Sequence, residues 1–376
     1  MRLIIVLVIV LFSISYSSGM AEILKGTKGH LIETRVVANF SDPWSMTFLD
    51  DELILVTTKS GKLWLVSKSG KKTEINGTPE VAFGGQGGLG DVILHPSFSS
   101  NRLVYLSFVK SNGLFRAKGA VVVRGNLELG KRPQFTNIEQ IWAQVPRALG
   151  SKHFSHRLVF GPPNSDQEGK LFITSGDRGT PTASQSWESN LGKIIRLNED
   201  GSIPIDNPFQ NKGELAKTFW TLGHRNALGI AFDKNGKLWS NEMGPRHGDE
   251  LNLIVRGKNY GWPLVSEGNH YSGVTIPGHS TRPEFMAPII FWVPTVAPSG
   301  LIFYSGQHFP EWNGDAFFGG LKSKALVRLE FKGTNAIEAE RFRWGNRIRE
   351  IEQAPDGTIW VLEDPPDGRL IQITSP

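Results

Sequence analysis

Short apolar runs separated by glycine, proline and polar turns recur along the whole chain. Six segments share one layout: an apolar strand, a turn, a second apolar strand and, in several copies, a third strand that starts with glycine. The first strands of these copies begin near Ser45, Gly90, Arg157, Gly229, Gly300 and Ile348. Their spacing, roughly 45 to 70 residues, is at or above the length of one propeller blade. The pattern predicts an all-β fold, a six-bladed β-propeller with four-stranded antiparallel blades.

The segment before the first copy indicates how the ring of blades closes. Residues 32–40 are extended in pattern, and we expect them to add a strand to the last blade. The alternative is a pair of β-sandwiches. It is less favoured, because a sandwich fold does not require a sequence repeat at blade spacing. Two short stretches, 137–143 and 213–219, have a helix-like pattern and are expected to decorate loops.

The first residues have the pattern of a secretory signal peptide. A positive start, Met1-Arg2, precedes an apolar run over 3–12 and small residues over 17–21. We expect residues 1–21 to be removed after Gly19 or Ala21, which leaves a periplasmic domain over 22–376. The alternative is an uncleaved anchor helix, but the apolar run is too short to cross a hydrocarbon core of about 30 Å comfortably. No other segment is apolar enough to span a bilayer.

Composition excludes several classes of site. The 376 residues include 42 glycines and 22 prolines, which favour turns over long helices. The absence of cysteine excludes disulfides, thiolate catalysis and cysteine-bound zinc. The 41 basic and 36 acidic residues are interspersed, so neither a nucleic-acid partner nor a polybasic membrane contact is expected.

Two histidines lie just before the third copy of the repeat. Histidine titrates near neutrality and acts as a general base, and Asp177 follows the next strand, where it is placed to orient the His153 imidazole. In a regular strand, the step of three residues would turn His153 and His156 to opposite sides, so only one would address a substrate. The alternatives are a His-x-x-His metal site, a structural histidine and an ordinary turn aspartate.

Other loops contain cations and possible metal ligands. Arg225-Asn226 has donors suited to a carboxylate, although an exposed surface arginine is the alternative. Arg347 and Arg349 are two residues apart, so both face one side of a strand, and with Lys322 they predict a polyanionic small molecule. Residues 241–252 mix acids with a Gly-Pro pair whose carbonyls suit a hard cation such as Ca²⁺, without EF-hand spacing. No phosphate-binding loop or Rossmann fingerprint is present.

Seven motifs stand in order along the chain. They are Gly84-Gly85-Gln86-Gly87-Gly88-Leu89, His153 with Arg157-Leu158, Gly223 with Arg225-Asn226, Glu242 with Gly244-Pro245 and Gly248-Asp249-Glu250, Gly257-Lys258-Asn259-Tyr260-Gly261-Trp262-Pro263, Leu321-Lys322, and Arg347-Ile348-Arg349. Together they resemble the soluble pyrroloquinoline-quinone (PQQ)-dependent sugar dehydrogenases, and most closely the bacterial aldose sugar dehydrogenases. The likeness extends from about Pro43 to the C-terminus.

This resemblance implies a role for each matching residue. His153 would be the catalytic base, Asp177 the acid that orients it, and Arg225 a further catalytic residue. The positions that would hold PQQ are Gln86, Arg225, Asn226, Tyr271, Lys322, Arg347 and Arg349. The carbonyls of Gly244 and Pro245 would bind the calcium of the cofactor, and Glu250 with the Tyr260 carbonyl would bind a second, structural calcium.

The implied reaction is oxidation of the C1 hydroxyl of an aldose to a lactone, with electrons passing to an acceptor outside the cytoplasm. Two alternatives stay open: a non-catalytic propeller that binds carbohydrate or protein, and a calcium-dependent lactone hydrolase. Some positions differ from the family pattern, most clearly His156, where glycine is expected. The other differences are Lys152, His224 and His247, and together they leave the substrate range open.

Overall fold

The structure is a computed structural model that describes residues 21–113 and 116–376. The predicted signal peptide, apart from Ala21, lies outside the described residues. Within the described ranges, no helix has both the length and the apolar character needed to cross a membrane.

Strands are the main regular elements of the described chain. In order they are β1 (Glu22–Lys25), β2 (Leu31–Asn39), β3 (Pro43–Phe48), β4 (Leu53–Thr58), β5 (Leu63–Ser67), β6 (Lys72–Ile75), β7 (Leu89–Leu94), β8 (Leu103–Ser111), β9 (Lys118–Glu128), β10 (Gln134–Ala143), β11 (Ser155–Phe160), β12 (Lys170–Ser175), β13 (Lys193–Asn198), β14 (Phe219–Leu222), β15 (Ala227–Phe232), β16 (Leu238–Glu242), β17 (Asp249–Ile254), β18 (Ile290–Trp292), β19 (Pro298–Phe303), β20 (Ala316–Gly320), β21 (Ala325–Lys332), β22 (Asn335–Arg343), β23 (Ile348–Gln353), β24 (Ile359–Glu363) and β25 (Arg369–Thr374). The helical pieces are α1 (Phe98–Asn101) and the 3₁₀ turns Pro181–Gln185, Ala216–Thr218, His279–Thr281 and Pro310–Trp312.

These strands form six antiparallel sheets, which are the blades of a β-propeller. Strands β3 to β22 form five four-stranded sheets, and β23, β24 and β25 begin the sixth. The predicted six-bladed propeller is therefore confirmed, and the sandwich alternative is wrong. Strand β2 pairs with β25, with Thr34 opposite Ile373, as expected for the segment 32–40. Strand β1 extends this last sheet to five strands, so the N-terminal strands close the ring.

The helix expected over 137–143 is wrong. These residues lie in edge strand β10, whose pairing with β9 shifts register twice, between Thr136 and Glu139 and between Gln140 and Trp142. Each bulge adds a residue that breaks strict alternation, so the apolar residues imitate a helical period. The stretch 213–219 contains one 3₁₀ turn, Ala216–Thr218, and then enters β14.

The hydrophobic core lies between neighbouring blades. One cluster joins Leu55 and Leu63 of the first sheet to Leu106 and Val121 of the second, and all four side chains are fully buried. This packing leaves the inner strands β3, β7, β11, β15, β19 and β23 around a central channel. The loops at either end of that channel are free to bind ligands.

Candidate active site

A cavity of about 310 Å³ occupies the end of the channel where the inner strands begin. Its apolar side, which we call the floor, is formed by Trp44, Leu228, Met243, Ala297 and Leu321. Its polar side chains include Lys59, Gln86, Arg347, Arg349 and Asp364. The cavity thus combines an apolar surface with three cations and one carboxylate, a composition suited to a planar anion.

His153 and Asp177 form a hydrogen-bonded pair beside this cavity. His153 precedes β11 and Asp177 follows β12, so adjacent strands of one blade bring the two side chains together. The distance from His153 Nδ1 to Asp177 Oδ1 is 2.7 Å. Burial and the charge of Arg225 lower the pKa of His153, although the hydrogen bond to Asp177 opposes this.

Asp177 is held so that it fixes one tautomer of His153. Its Oδ2 accepts a hydrogen bond from Trp262 Nε1 at 2.9 Å, and Oδ1 also accepts one from the Gly179 N–H at 2.7 Å. Burial would raise the pKa of Asp177, but His153, the Gly179 N–H and the charge of Arg225 hold it below its usual value. The ionised carboxylate therefore accepts a hydrogen bond from the Nδ1–H of His153, and Nε2 is left without a proton, as an acceptor.

Arg225 and Asn226 adjoin the same cavity. The Arg225 guanidinium donates to the Met243 carbonyl at 2.9 Å and to the Tyr271 hydroxyl at 3.4 Å. Asn226 Oδ1 accepts a hydrogen bond from Ser155 Oγ at 3.2 Å. Met243 and Ser155 line the cavity, so Arg225 and Asn226 contact residues of its lining without lining it themselves.

Arg347 and Arg349 converge on one carboxylate. Both guanidinium groups donate to Asp364, Arg347 Nε at 2.9 Å and Arg349 Nε at 2.7 Å. Burial would raise the pKa of Asp364, but Arg349 and Arg347 hold it below its usual value. The expectation that both arginines share one side of the strand is confirmed.

Lys59 and Asp364 are cavity residues that sequence reasoning missed. Lys59 Nζ donates to the Gly85 carbonyl at 2.7 Å, and burial followed by the charge of Arg349 lowers its pKa. The sequence signal was only positional, since Lys59 follows β4 and Asp364 follows β24. Second strands end at the same face where the inner strands begin, so both residues reach the cavity.

The remaining predicted PQQ contacts are more exposed. Gln86 lines the cavity, and its side-chain Oε1 accepts the His153 N–H at 2.6 Å. Lys322 is exposed and follows Leu321 of the floor, and its amine makes no hydrogen bond or ion pair within the described residues. Tyr271 is 74% exposed and is joined to this region through Arg225.

The Gly244-Pro245 loop presents free carbonyls. The Gly244 N–H donates to Asp249 Oδ1 at 2.9 Å, while Asp249 Oδ2 accepts the N–H groups of Val296 and Ala297, each at 2.7 Å. Asp249 therefore holds the loop in place. The carbonyls of Gly244 and Pro245 accept no hydrogen bond from residues 21–113 or 116–376, which is the condition of oxygens available to a cation.

Glu250 and Tyr260 line a second, very small cavity of about 10 Å³, which also borders Gly244, Pro245 and Glu242. Burial and the negative charge of Glu242 raise the pKa of Glu250 well above its usual range. Glu242 is already paired with His224 Nδ1 at 2.9 Å. A bound cation would offset the free-energy cost of burying the Glu250 carboxylate. The described residues include no cluster of three or more His, Cys, Asp or Glu with metal-binding geometry.

Tyr260 and the unexpected histidines have protein partners. The Tyr260 carbonyl lies 3.1 Å from His279 Nε2, and His247 Nδ1 accepts the Thr295 N–H at 3.2 Å. His156 is buried, with Nδ1 2.7 Å from Ser107 Oγ. The regular strand assumed for the two histidines is wrong, because His153, Ser155 and His156 all have positive φ, at 52°, 57° and 60°. The two rings nevertheless have different partners.

Comparisons with known proteins agree with this geometry. The profile of the glucose/sorbosone dehydrogenase family matches residues 40–372. The aldose sugar dehydrogenase YliI of Escherichia coli is 36% identical over 88% of this chain and 90% of its own length.

Two solved structures have the same fold. The soluble aldose sugar dehydrogenase of Escherichia coli, in its apo-form, superposes with a TM-score of 0.85 at 33% identity, covering 92% of this chain and 100% of that chain. The PQQ-bound form of the Streptomyces coelicolor aldose sugar dehydrogenase has a TM-score of 0.74 at 28% identity, covering 93% and 98%.

Proposed function

Because the chain belongs to the glucose/sorbosone dehydrogenase family, we propose that it is a PQQ- and calcium-dependent aldose sugar dehydrogenase. The observation that supports this most strongly is the His153–Asp177 pair beside a cavity edged by Lys59, Arg347 and Arg349. A base held in one tautomer and a cationic cavity are the two features that this reaction requires.

The cavity residues fit PQQ, a planar quinone with three carboxylates. The floor around Trp44 would pack against the ring system, while Arg347, Arg349 and Lys59 would face carboxylates. Lys322 and Arg225 would add cations at the rim, and Gln86, Asn226 and Tyr271 would supply polar contacts. When bound, the quinone supplies the acceptor for the hydride that leaves C1 of the sugar.

The chain itself supplies the proton chemistry. His153 Nε2 would accept the proton of the C1 hydroxyl as the C1–O bond becomes the carbonyl of a lactone. Asp177 would stabilise the imidazolium that forms, as its position against Nδ1 allows. Burial and the nearby charge of Arg225 lower the pKa of His153, which keeps the imidazole neutral and ready to accept a proton.

Calcium is part of the same proposal. The carbonyls of Gly244 and Pro245 would hold the ion that adjoins the cofactor, because these oxygens accept no hydrogen bond from the described residues. Glu250 and the Tyr260 carbonyl would hold a second, structural ion, supported by the high pKa of the buried Glu250 carboxyl. The first ion would supply Lewis acidity to the site.

Export to the periplasm completes the proposal. It is supported by the positive start and the apolar run over residues 3–12. Electrons from the sugar would then leave through an acceptor outside the cytoplasm.

Reconstitution tests this function. Apo-protein with PQQ, Ca²⁺ and a panel of aldoses should reduce a redox dye, and EDTA should abolish that activity until Ca²⁺ is restored. Full activity in thoroughly chelated protein would contradict the metal role. Sugar binding without dye reduction would indicate a binding propeller, and lactone hydrolysis without PQQ would indicate a hydrolase.

A further inference from the structure

His156 occupies a backbone position that favours glycine. Its φ is 60°, in the left-handed region where a Cβ atom is unfavourable, and the family resemblance also predicts glycine here. A non-glycine residue in this strained conformation is typical of sites where the side chain has a function.

The surroundings of His156 fix the ring and its proton. The imidazole stacks on Trp44, with ring centres 5.0 Å apart and planes 8° from parallel. Ser107 Oγ accepts the Asp91 N–H at 2.8 Å and lies 2.7 Å from His156 Nδ1. Its hydroxyl proton has no other acceptor in the described part of the chain, so it is donated to Nδ1. The ring proton of His156 therefore resides on Nε2.

That Nε2–H group is available to a ligand. His156 lines the cavity of about 310 Å³, and no group among the described residues hydrogen-bonds its Nε2. Burial, together with the charges of Arg157 and Arg178, lowers the pKa of His156 to about 3. The ring is thus a neutral, fixed donor at working pH and is unsuited to act as a base.

We propose that His156 donates a hydrogen bond from Nε2 to the quinone cofactor bound against the floor of this cavity. The inference rests on the proposed function, and it assigns the two histidines separate tasks. His153 exchanges a proton with the substrate, whereas His156 positions the cofactor without changing its own charge.

The test is a titration of the full-length apo-protein with PQQ in Ca²⁺ buffer, followed by tryptophan fluorescence and by the absorption spectrum of bound PQQ. His156→Phe keeps an aromatic ring without a donor, His156→Gly removes the ring and suits the backbone, and His156→Gln restores a donor. We expect the Phe and Gly variants to raise Kd about tenfold and to shift the spectrum, as loss of one strong hydrogen bond would. The Gln variant should recover most of the affinity, and the ratio to wild type should be equal at pH 6 and pH 8.

Several outcomes would overturn this inference. If wild-type protein binds PQQ and the Phe variant binds it with equal affinity and an unchanged spectrum, the role of His156 is overturned while the proposed function stands. A weak Gly variant beside a Phe variant of wild-type affinity would show that ring packing matters and the N–H does not. Wild-type protein that fails to bind PQQ would overturn the proposed function itself. Thermal unfolding of each variant checks folding, and if the Phe variant is unstable, the Gly variant decides.

Discussion

The two ends of the central channel are lined by the same six inner strands but differ in charge. At the cationic end, Lys59, Arg347 and Arg349 surround a cavity of about 310 Å³. At the other, acidic end, Asp91, Glu350 and Glu352 line a larger cavity of about 500 Å³. The candidate active site is therefore at the end with the smaller cavity.

This difference shows that volume alone does not identify the site. The acidic end is lined mainly by the strands themselves, whose residues alternate for packing. The cationic end is built by loops between strands, which bring the His153–Asp177 pair of one blade to the same face as Arg347 and Arg349 of another. The candidate site on this propeller is thus built by loops at one face.

Arg157 separates the two ends. Its buried guanidinium donates to Asp91 at 3.3 Å and to Glu350, and also to the carbonyls of Leu228 at 2.9 Å and Arg349 at 3.2 Å. Arg157 therefore neutralises carboxylates of the acidic end, while backbone carbonyls of the cationic end hold its guanidinium in place. Glu352, in contrast, has no hydrogen-bonding side-chain partner within the described residues.

The largest expected effect is at the cationic end. His153→Ala should lower turnover on an aldose by about 10²–10⁴-fold while PQQ binding persists, because a positioned base is lost. His156→Ala should retain far more turnover at saturating PQQ. A dead His156→Ala enzyme beside a near-normal His153→Ala enzyme would reverse the assignment of the base.

Removing a cation should weaken cofactor binding. Lys322→Ala, Arg347→Ala and Arg349→Ala should each raise the Kd for PQQ about tenfold to a hundredfold, since each charged hydrogen bond contributes about 1.5–3 kcal/mol. Glu352→Gln is the matched control from the acidic end and should leave Kd within about twofold. Unchanged affinity in all three cation variants would reject the cationic cavity as the PQQ site.

The pH profile of kcat/KM should show the environment of His153. Burial and Arg225 lower its pKa below the ordinary 6.5, and the base must be deprotonated, so activity should fall only below pH 6.5. Glu352→Gln should leave this acid limb in place. An acid limb centred above pH 7 in wild type would contradict the environment described for His153.

The smallest effect is on stability at the acidic end. Burial and the negative charge of Asp91 raise the pKa of Glu352 to about 8, from 4.5. A raised carboxyl pKa means that this group's contribution is complete below pH 4.5 and is lost as pH rises through 8. Because Glu352 is only half-buried, solvent screens its charge, and only part of this pKa shift affects folding.

Glu352→Gln should therefore gain stability relative to wild type as pH rises, with Tm higher by about 2 °C at pH 9. Thermal unfolding at pH 4 and pH 9 measures this change. A gain of the same size at both pH values would show that titration of Glu352 is not its cause.

The sequence predicted features that follow from simple periodicity. Alternation and repeat spacing located all six inner strands. Arg347 and Arg349 share one side as expected, since both donate to Asp364, although Arg347 precedes β23 and the register shifts between Ile348 and Glu350. The segment 32–40 closes the ring as expected, because the last sheet offers the free edge of β25 for an extended segment to pair with.

Features that depend on irregular backbone escaped prediction. The bulges of β10 imitated a helix, and the positive φ of His153 and His156 removed the basis for the strand argument. Lys59 and Asp364 reach the cavity only because second strands end at its rim, which requires the folded ring. The hydrogen bonds by which Asp249 holds Gly244 next to Val296 and Ala297 are likewise tertiary contacts, which the sequence alone does not reveal.

The most direct test is a crystal structure of the protein with PQQ and Ca²⁺. We expect cofactor density at the cationic end, against Trp44, with carboxylates at Arg347 and Arg349 and a Ca²⁺ ion at the Gly244 and Pro245 carbonyls. Density for PQQ at the acidic end, beside Asp91 and Glu352, or only on the outer surface of the blades, would contradict the account.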